Sequence, residues 1–430
     1  MNGGSRITGV HARRVWDSRG RPTVEAEVTL ADGAIGRAIV PAGASKGTRE
    51  ALELRDGGAP FGGLDVQRAI AHVDGEIARA VTGLAADDQA ALDAALVALD
   101  GTPNKKRLGA NATLAVSMAA AHAAAASRRL PLYRHLGGDA ATLLPMPQIQ
   151  IFGGGAHAGR RVDIQDFMIV CPGAASFAQA LEWTAEVYRH AGALMRERGS
   201  LAGVADEGGW WPSFASNEEA LQTLVLAIER AGFTPGSEIA IALDVAASEF
   251  GRAGRYRLAL DARELDSDAL IELLLRWIAA YPIVSIEDPL AEDDLAGFAR
   301  FTAAAGAKVQ IVGDDQLVSS AELVRSAAAA GAANCVLLKP NQRGTLSETL
   351  AAWRAAQAAG YAGIVSARSG ETEDTTIVDL AIAWGVGQLK VGSFARGERM
   401  AKWNAALRIE ERLGTAARFA GRAVFGRTVP

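Results

Sequence analysis

The chain has 430 residues, 49 % of them apolar and 22 % charged, with a formal net charge of −5. That length exceeds one ordinary core and predicts two domains, and the charge balance lacks the basic run of a nucleic-acid-binding protein. The longest apolar stretches, Ala-rich segments such as Met118–Ala126, are too short to span a bilayer, so no membrane partner is expected. Met1–Arg6 offers no signal-peptide core, which predicts a cytoplasmic protein. Cys171 and Cys335 lie in apolar segments and are expected as buried thiols.

Residues Ile7–Ile39 alternate apolar and polar positions, with breaks at Asp17–Pro22 and Asp32-Gly33. The pattern predicts a three-stranded antiparallel meander. The small-residue loop Val40–Gly47 follows, carrying Ala44, Ser45 and Lys46, and its glycines permit close backbone approach to a ligand. A plain surface loop is the competing reading. Leu64–Val81, Ala86–Leu99 and Ala110–Arg128 have helical periodicity. Pro131–Gly138 leads out of a small α+β domain, residues 1–138.

A second domain, residues 144–430, starts near Leu144. Met146–Gly155 runs into a glycine-rich loop and then Ala156–Arg161, which holds His157, Arg160 and Arg161. Asp163–Val170 places Gln165 and Asp166 beside a strand, and Phe177–Arg198 reads as a helix. Val204–Pro212 is a tight loop with Glu207 at its turn, and its paired Trp210 and Trp211 suit either the core or a pocket wall. From Ile239 to about Leu413, short apolar runs end in Asp244, Glu287, Asp314, Lys339, Ser366 and Lys390, the last five spaced 24–27 residues apart. That interval fits one strand, one helix and two loops. Repeated strand–helix units predict a parallel barrel, whose strand C-termini converge on the face that carries the chemistry.

Asp244, Glu287 and Asp314 then share one mouth. Three such carboxylates raise one another's pKa unless a cation sits among them, and hard oxygen donors with open positions suit Mg²⁺. For any single acid an ion pair or loop cap is the better reading; three in successive units favour the metal. Lys339 and Lys390 fall in the same mouth, where a neighbouring cation and burial both favour the neutral amine, a potential base. A metal on a substrate carboxylate stabilises the charge left when the adjacent carbon loses a proton. Arg368-Ser369 suits a phosphate or carboxylate clamp, and Glu207 suits a general acid on the opposite side.

The motifs Asp17-Ser18-Arg19-Gly20, Gly43-Ala44-Ser45, Ala51–Asp56, Asp206-Glu207-Gly208-Gly209, Ala242–Glu249, Ser285–Leu290, Gly313-Asp314-Asp315 and Ser369–Thr376 resemble the enolase, or phosphopyruvate hydratase, family from about Ile7 to Leu413. The resemblance implies an α/β fold: a modified (β/α)8 TIM-type barrel with an N-terminal α+β capping domain, assembled as a homodimer or higher homo-oligomer. It implies two Mg²⁺ ions, the first held by Asp244, Glu287 and Asp314 and the second reached by Ser45. By the same resemblance Lys339 removes the proton, Lys390 contacts the substrate carboxylate, and Glu207, supported by Asp166, helps the hydroxyl leave. Arg368 and Ser369 grip the phosphate, His157 closes from its loop, and Gln165, Ala44, Ser45 and Lys46 are further substrate contacts.

Departures from the family pattern gather at this site. Ala367 replaces a His, Asp166 a Glu, Ala42 and Lys46 a Ser and a Thr, and Gly153 an Asn; Arg160 and Arg161 are added cations. Trp210-Trp211-Pro212 replaces Phe-Ala-Pro, Pro340 follows Lys339, and Arg343 replaces an apolar residue. The expected function is therefore Mg²⁺-dependent α-proton abstraction on 2-phosphoglycerate or phosphoenolpyruvate by a specialised paralogue. In it Lys46, Arg160 and Arg161 admit a second anion such as phosphonoformate, as in a carboxyphosphonoenolpyruvate synthase. The alternatives are an ordinary glycolytic phosphopyruvate hydratase and a non-catalytic binding or structural homologue.

Overall fold

The N-terminal alternation folds as strands β1 (Ile7–Trp16), β2 (Pro22–Leu30) and β3 (Ile35–Ile39), paired antiparallel in that order. The computed structural model from which this is read describes residues 3–428. Asp17 makes the first turn, its carboxylate accepting from the N–H groups of Arg19 (2.8 Å) and Arg21 (2.9 Å). Helix α1 (Gln89–Asp100) packs against the Ala-rich helix α2 (Ala110–Ser127), which covers the sheet. Small residues let α2 lie so close to β3 that a Cβ on Gly36 would meet the Ala123 nitrogen at 2.0 Å. Leu64–Val81 is helical from Gln67, with one π turn at Val73–Ile77.

Eight strands close the barrel: β4 (Met146–Gly153), β5 (Asp166–Val170), β6 (Ala240–Asp244), β7 (Ile283–Glu287), β8 (Gln310–Gly313), β9 (Cys335–Leu338), β10 (Ala362–Ser366) and β11 (Gln388–Ser393), which pairs back to β4. The all-parallel expectation fails at one strand. β5 runs antiparallel to both neighbours: the loop before it carries only the short turn Gly155–Ala158, and no crossover helix returns the chain for a parallel start. Reversal puts the first residue of β5, Asp166, at the mouth. After Asp244 a small antiparallel sheet spanning 251–266 also interrupts the expected strand–helix alternation.

Beneath the mouth the barrel is filled by polar side chains. Gln148 donates to Gln388 (2.9 Å), Gln388 donates back to Gln310 (2.9 Å), and Gln310 donates to Ser285 (3.0 Å). Such a layer survives burial because its members satisfy one another. Cys171 and Cys335 are buried thiols. Among the described residues, no helix is long and apolar enough to cross a membrane.

The capping sheet's helices meet the barrel at helix Thr376–Ala383, where Asp379 accepts from the Tyr133 N–H at 3.0 Å. Burial, resisted by that N–H and reinforced by Asp374, pushes the Asp379 carboxyl up to about 7. An unfolded aspartate ionises near 4, so the stability this group contributes is complete below about pH 4 and is lost as pH rises towards 7. Asp379→Asn keeps the acceptor and avoids the buried charge. The variant is expected to be more stable than the parent at pH 8 by roughly 2–4 kcal/mol, converging with it towards pH 4, as urea denaturation at both pH values would show.

Candidate active site

Strand register sets the acids side by side: Asp244 pairs with Glu287 on one flank and with Asp166 on the other, and Lys390 pairs with Ser366. Lys390 Nζ lies 2.7 Å from Asp244 Oδ2, 2.9 Å from Glu287 Oε2 and 3.2 Å from Asp166 Oδ2. Lys339 donates instead to Asp314. Two members of the predicted metal triad thus bracket one lysine while the third is paired with the other.

Burial, and then Asp244, push the Glu287 carboxyl well up despite Lys390. At Asp314 burial acts in the same direction, but Lys339, Arg368 and Lys390 together outweigh it and hold the carboxyl below its usual range. Burial lowers both lysines most, yet Asp314 and Glu287 together outweigh it at Lys339, and Asp244, Glu287 and Asp166 at Lys390, so both are held above the usual ammonium range. The expectation placed a cation among the carboxylates; with the anions facing them unshielded, the lysines themselves carry the balancing charge.

The residues nevertheless fit a hard divalent cation. Glu287 Oε1 is buried without a hydrogen-bond partner, and an all-carboxylate oxygen set with an unused donor atom suits such an ion. Neutralising the acids would deprive both lysines of their counter-charges and let their pKa values fall. Asp288, Asp314 and Asp315 bring carboxylate oxygens within 4.8 Å of one another, as His157, Asp166 and Glu207 do their own donor atoms. Asp288 spends its two oxygens on the N–H groups of Asp314 (2.9 Å) and Asp315 (2.8 Å) and takes a strained φ of 42° to do so. It fixes the backbone of Asp314.

Glu207 stands on a turn at Gly208, whose φ of 94° favours glycine. Its Oε1 lies 3.7 Å from His157 Nε2. Burial raises the Glu207 carboxyl, but His157, Arg399 and both lysines together hold it below its usual range. Gln150 joins this turn to Asp166, donating to that carboxylate and accepting from the Gly209 N–H at 2.9 Å.

The loop from Pro41 to Ala51 docks over the mouth. Arg368 donates to Glu50 Oε2 (3.0 Å), Asn341 Oδ1 (3.1 Å) and the Ser45 carbonyl (2.8 Å), and Ser369 Oγ accepts from the Ala44 N–H at 2.7 Å. Any Cβ at Gly43 would fall 1.9 Å from the Arg368 guanidinium. Ser45, His157, Gln165, Glu207, Arg368 and Ser369 join Asp166, Asp244 and both lysines around one cleft.

Three predicted contacts lie elsewhere. Lys46 Nζ is bonded to Glu53 at 2.5 Å, Arg160 pairs with Glu249 at 2.8 Å with its side chain 70 % exposed, and Arg161 is exposed. Ala44 contributes its backbone. Trp210 does not wall the cleft: it stacks on Tyr188 with centroids 4.7 Å apart. Arg160→Ala is therefore expected to change stability by less than about 1 kcal/mol and leave substrate KM within roughly twofold, which steady-state kinetics would check. Sequence reasoning passed over Glu50, Asp288, Gln342 and Arg399. Asp288 was signalled by standing beside Glu287, whereas Arg399, which donates to the Arg368 and Ser369 carbonyls, carries no local sign.

Fold and site together define an α/β-barrel enzyme equipped for acid–base chemistry on a small anion beside a cation. Residues 7–136 match the family model described as "Enolase, N-terminal domain", and residues 141–428 the one described as "Enolase, C-terminal TIM barrel domain". A protein named "Enolase" from Acidothermus cellulolyticus is 52 % identical over 421 residues, 98 % of each chain. Another, from Rubrobacter xylanophilus, is 51 % identical over 420 residues, 97 % of this chain and 98 % of its own. The chain belongs to the enolase family and is an enolase-family lyase. The specialised synthase expected from the sequence gains no support: both relatives are named plainly as enolases, and Lys46, Arg160 and Arg161 lie outside the cleft they were expected to furnish.

Proposed function

We propose that the chain interconverts 2-phosphoglycerate and phosphoenolpyruvate with release of water, as an ordinary phosphopyruvate hydratase. The observation that carries this reading is the disposition of Lys339 and Glu207 around one cleft floored by carboxylates. Lys339 Nζ takes the proton from the carbon beside the substrate carboxylate. The Glu207–His157 pair, 3.7 Å apart and supported by Asp166, delivers a proton to the departing hydroxyl, which leaves as water while the carbon–carbon double bond forms. Lys390 faces the substrate carboxylate, and Arg368 and Ser369 hold the phosphate. Asp244, Glu287 and Asp314 would hold a Mg²⁺ ion, with Ser45 towards a second. Bound there, Mg²⁺ supplies charge stabilisation for the carboxylate as the neighbouring carbon is deprotonated. Whole-length similarity to proteins named enolase supports this substrate, and a homo-oligomeric assembly accords with it.

Phosphorus NMR of the purified protein with 2-phosphoglycerate tests the reading. Phosphoenolpyruvate is expected with Mg²⁺ and not with a chelator, and added phosphonoformate is expected to remain unchanged. Failure of the Mg²⁺-loaded protein to form phosphoenolpyruvate would refute it, as would a new phosphonate signal formed with loss of phosphate.

A further inference from the structure

Gln342 is fully buried in the turn Pro340–Gln342 that follows Lys339. A buried amide must spend its donors and acceptor on protein partners, and Gln342 spends them on the site. Its Nε2 donates to Asp314 Oδ1 at 2.8 Å, while Lys339 holds the other oxygen of that carboxylate. Its Oε1 accepts from Ser319 Oγ at 2.6 Å, and the same hydroxyl oxygen accepts from the Lys339 N–H at 2.8 Å. The Gln342 N–H donates to the Lys339 carbonyl at 2.9 Å, and its own carbonyl accepts from Ala51 of the docked loop at 2.8 Å.

The backbone around Ser319 is strained. Val318 and Ser319 have φ values of 39° and 51°, and a β-branched residue takes such a conformation only where its surroundings impose it. The Ser319 hydroxyl, tied to both Gln342 and Lys339, is one of those constraints. No step of the reaction above uses Gln342 or Ser319.

We propose that Gln342 is a positioning residue, which sets the orientation of the Asp314 carboxylate towards a divalent cation and, through Ser319, the backbone from which Lys339 projects. The inference rests on the functional reading and deepens it. Residues that hydrogen-bond the ligands of a metal typically contribute 10–100-fold to its affinity, and Gln342 bonds the one acid of the three that Lys390 does not hold.

Isothermal titration of Mg²⁺ into the full chain, first stripped with a chelator, tests this without depending on turnover. Gln342→Met keeps the volume and removes the side-chain hydrogen bonds to Asp314, Ser319 and Glu50, and is expected to weaken Mg²⁺ binding about 10–100-fold. Thr349→Val removes the buried hydroxyl bond to the Thr345 carbonyl without touching the site, and is expected to leave the affinity within about twofold. Gln342→Asn, which keeps the amide but falls one methylene short of Asp314, reads the same loss should Gln342→Met not fold. Parent-like affinity in the folded Gln342 variant, or an equal loss in Thr349→Val, overturns the inference. A parent protein that binds no Mg²⁺ overturns the functional reading instead.

Discussion

Lys390→Ala is expected to cost the cation-free protein about 3–5 kcal/mol of stability, the penalty of removing one partner from a buried ionic cluster. The Lys390 ammonium faces Asp244, Glu287 and Asp166 within 3.2 Å, and all four side chains are buried. Deleting it leaves three carboxylates without their nearest counter-charge. Part of the cost is escaped by protonating Glu287, whose carboxyl is already pushed well up, so the deficit should shrink as pH falls. Saturating Mg²⁺ should restore more stability to this variant than it adds to the parent, because binding stabilises by mass action and the variant presents more uncompensated negative charge. Calorimetry with chelator and with Mg²⁺ would check both expectations. A variant as stable as its parent in chelator would show that the lysine does not balance these acids.

Lys339→Ala is expected to lower kcat by about 10²–10⁴-fold, the usual contribution of a positioned general base. The Lys339 amine is the only one in the cleft not surrounded by several acids: it pairs with Asp314 alone, whereas three carboxylates hold Lys390 in its charged form. A cation that takes over Asp314 frees Lys339 more completely than Lys390, which is why the base is assigned to 339. Substrate KM should move far less than kcat, since Arg368 and Ser369 are untouched. Single-turnover kinetics at saturating Mg²⁺ would separate the two. Loss of substrate binding with chemistry unchanged would reassign Lys339 to binding.

Much of this site was legible because a parallel barrel turns chain order into geometry. A residue that ends a buried strand reaches the mouth, so Asp244, Glu287, Asp314, Lys339 and Lys390 could be placed from spacing alone. Strand direction has no such signature. Asp163–Val170 looks like any buried strand, and the reversal that carries Asp166 to the mouth comes with a connection that holds no crossover helix. Side-chain direction was equally hidden. Lys46 and Arg160 stand on glycine-rich loops beside the cleft, but each meets a carboxylate pointing away from it, Glu53 and Glu249, and Glu249 is far off in sequence. The ion pairs that Lys339 and Lys390 make without a cation were hidden as well, because spacing brings acids and lysines to one mouth but does not say which faces which. Gln342 drew no attention because an uncharged side chain after Lys339-Pro340 reads as a turn residue until Asp314 is seen against it.

The central claim is that Lys339 and Glu207 act on opposite sides of the substrate in separate proton transfers. Its most direct test is exchange of the C2 hydrogen of 2-phosphoglycerate with solvent deuterium, followed by proton NMR with Mg²⁺ present. Glu207→Gln is expected to exchange that hydrogen while forming little phosphoenolpyruvate, because the base works and the acid does not. Lys339→Ala is expected to do neither. Exchange at the parent rate in Lys339→Ala would contradict the account.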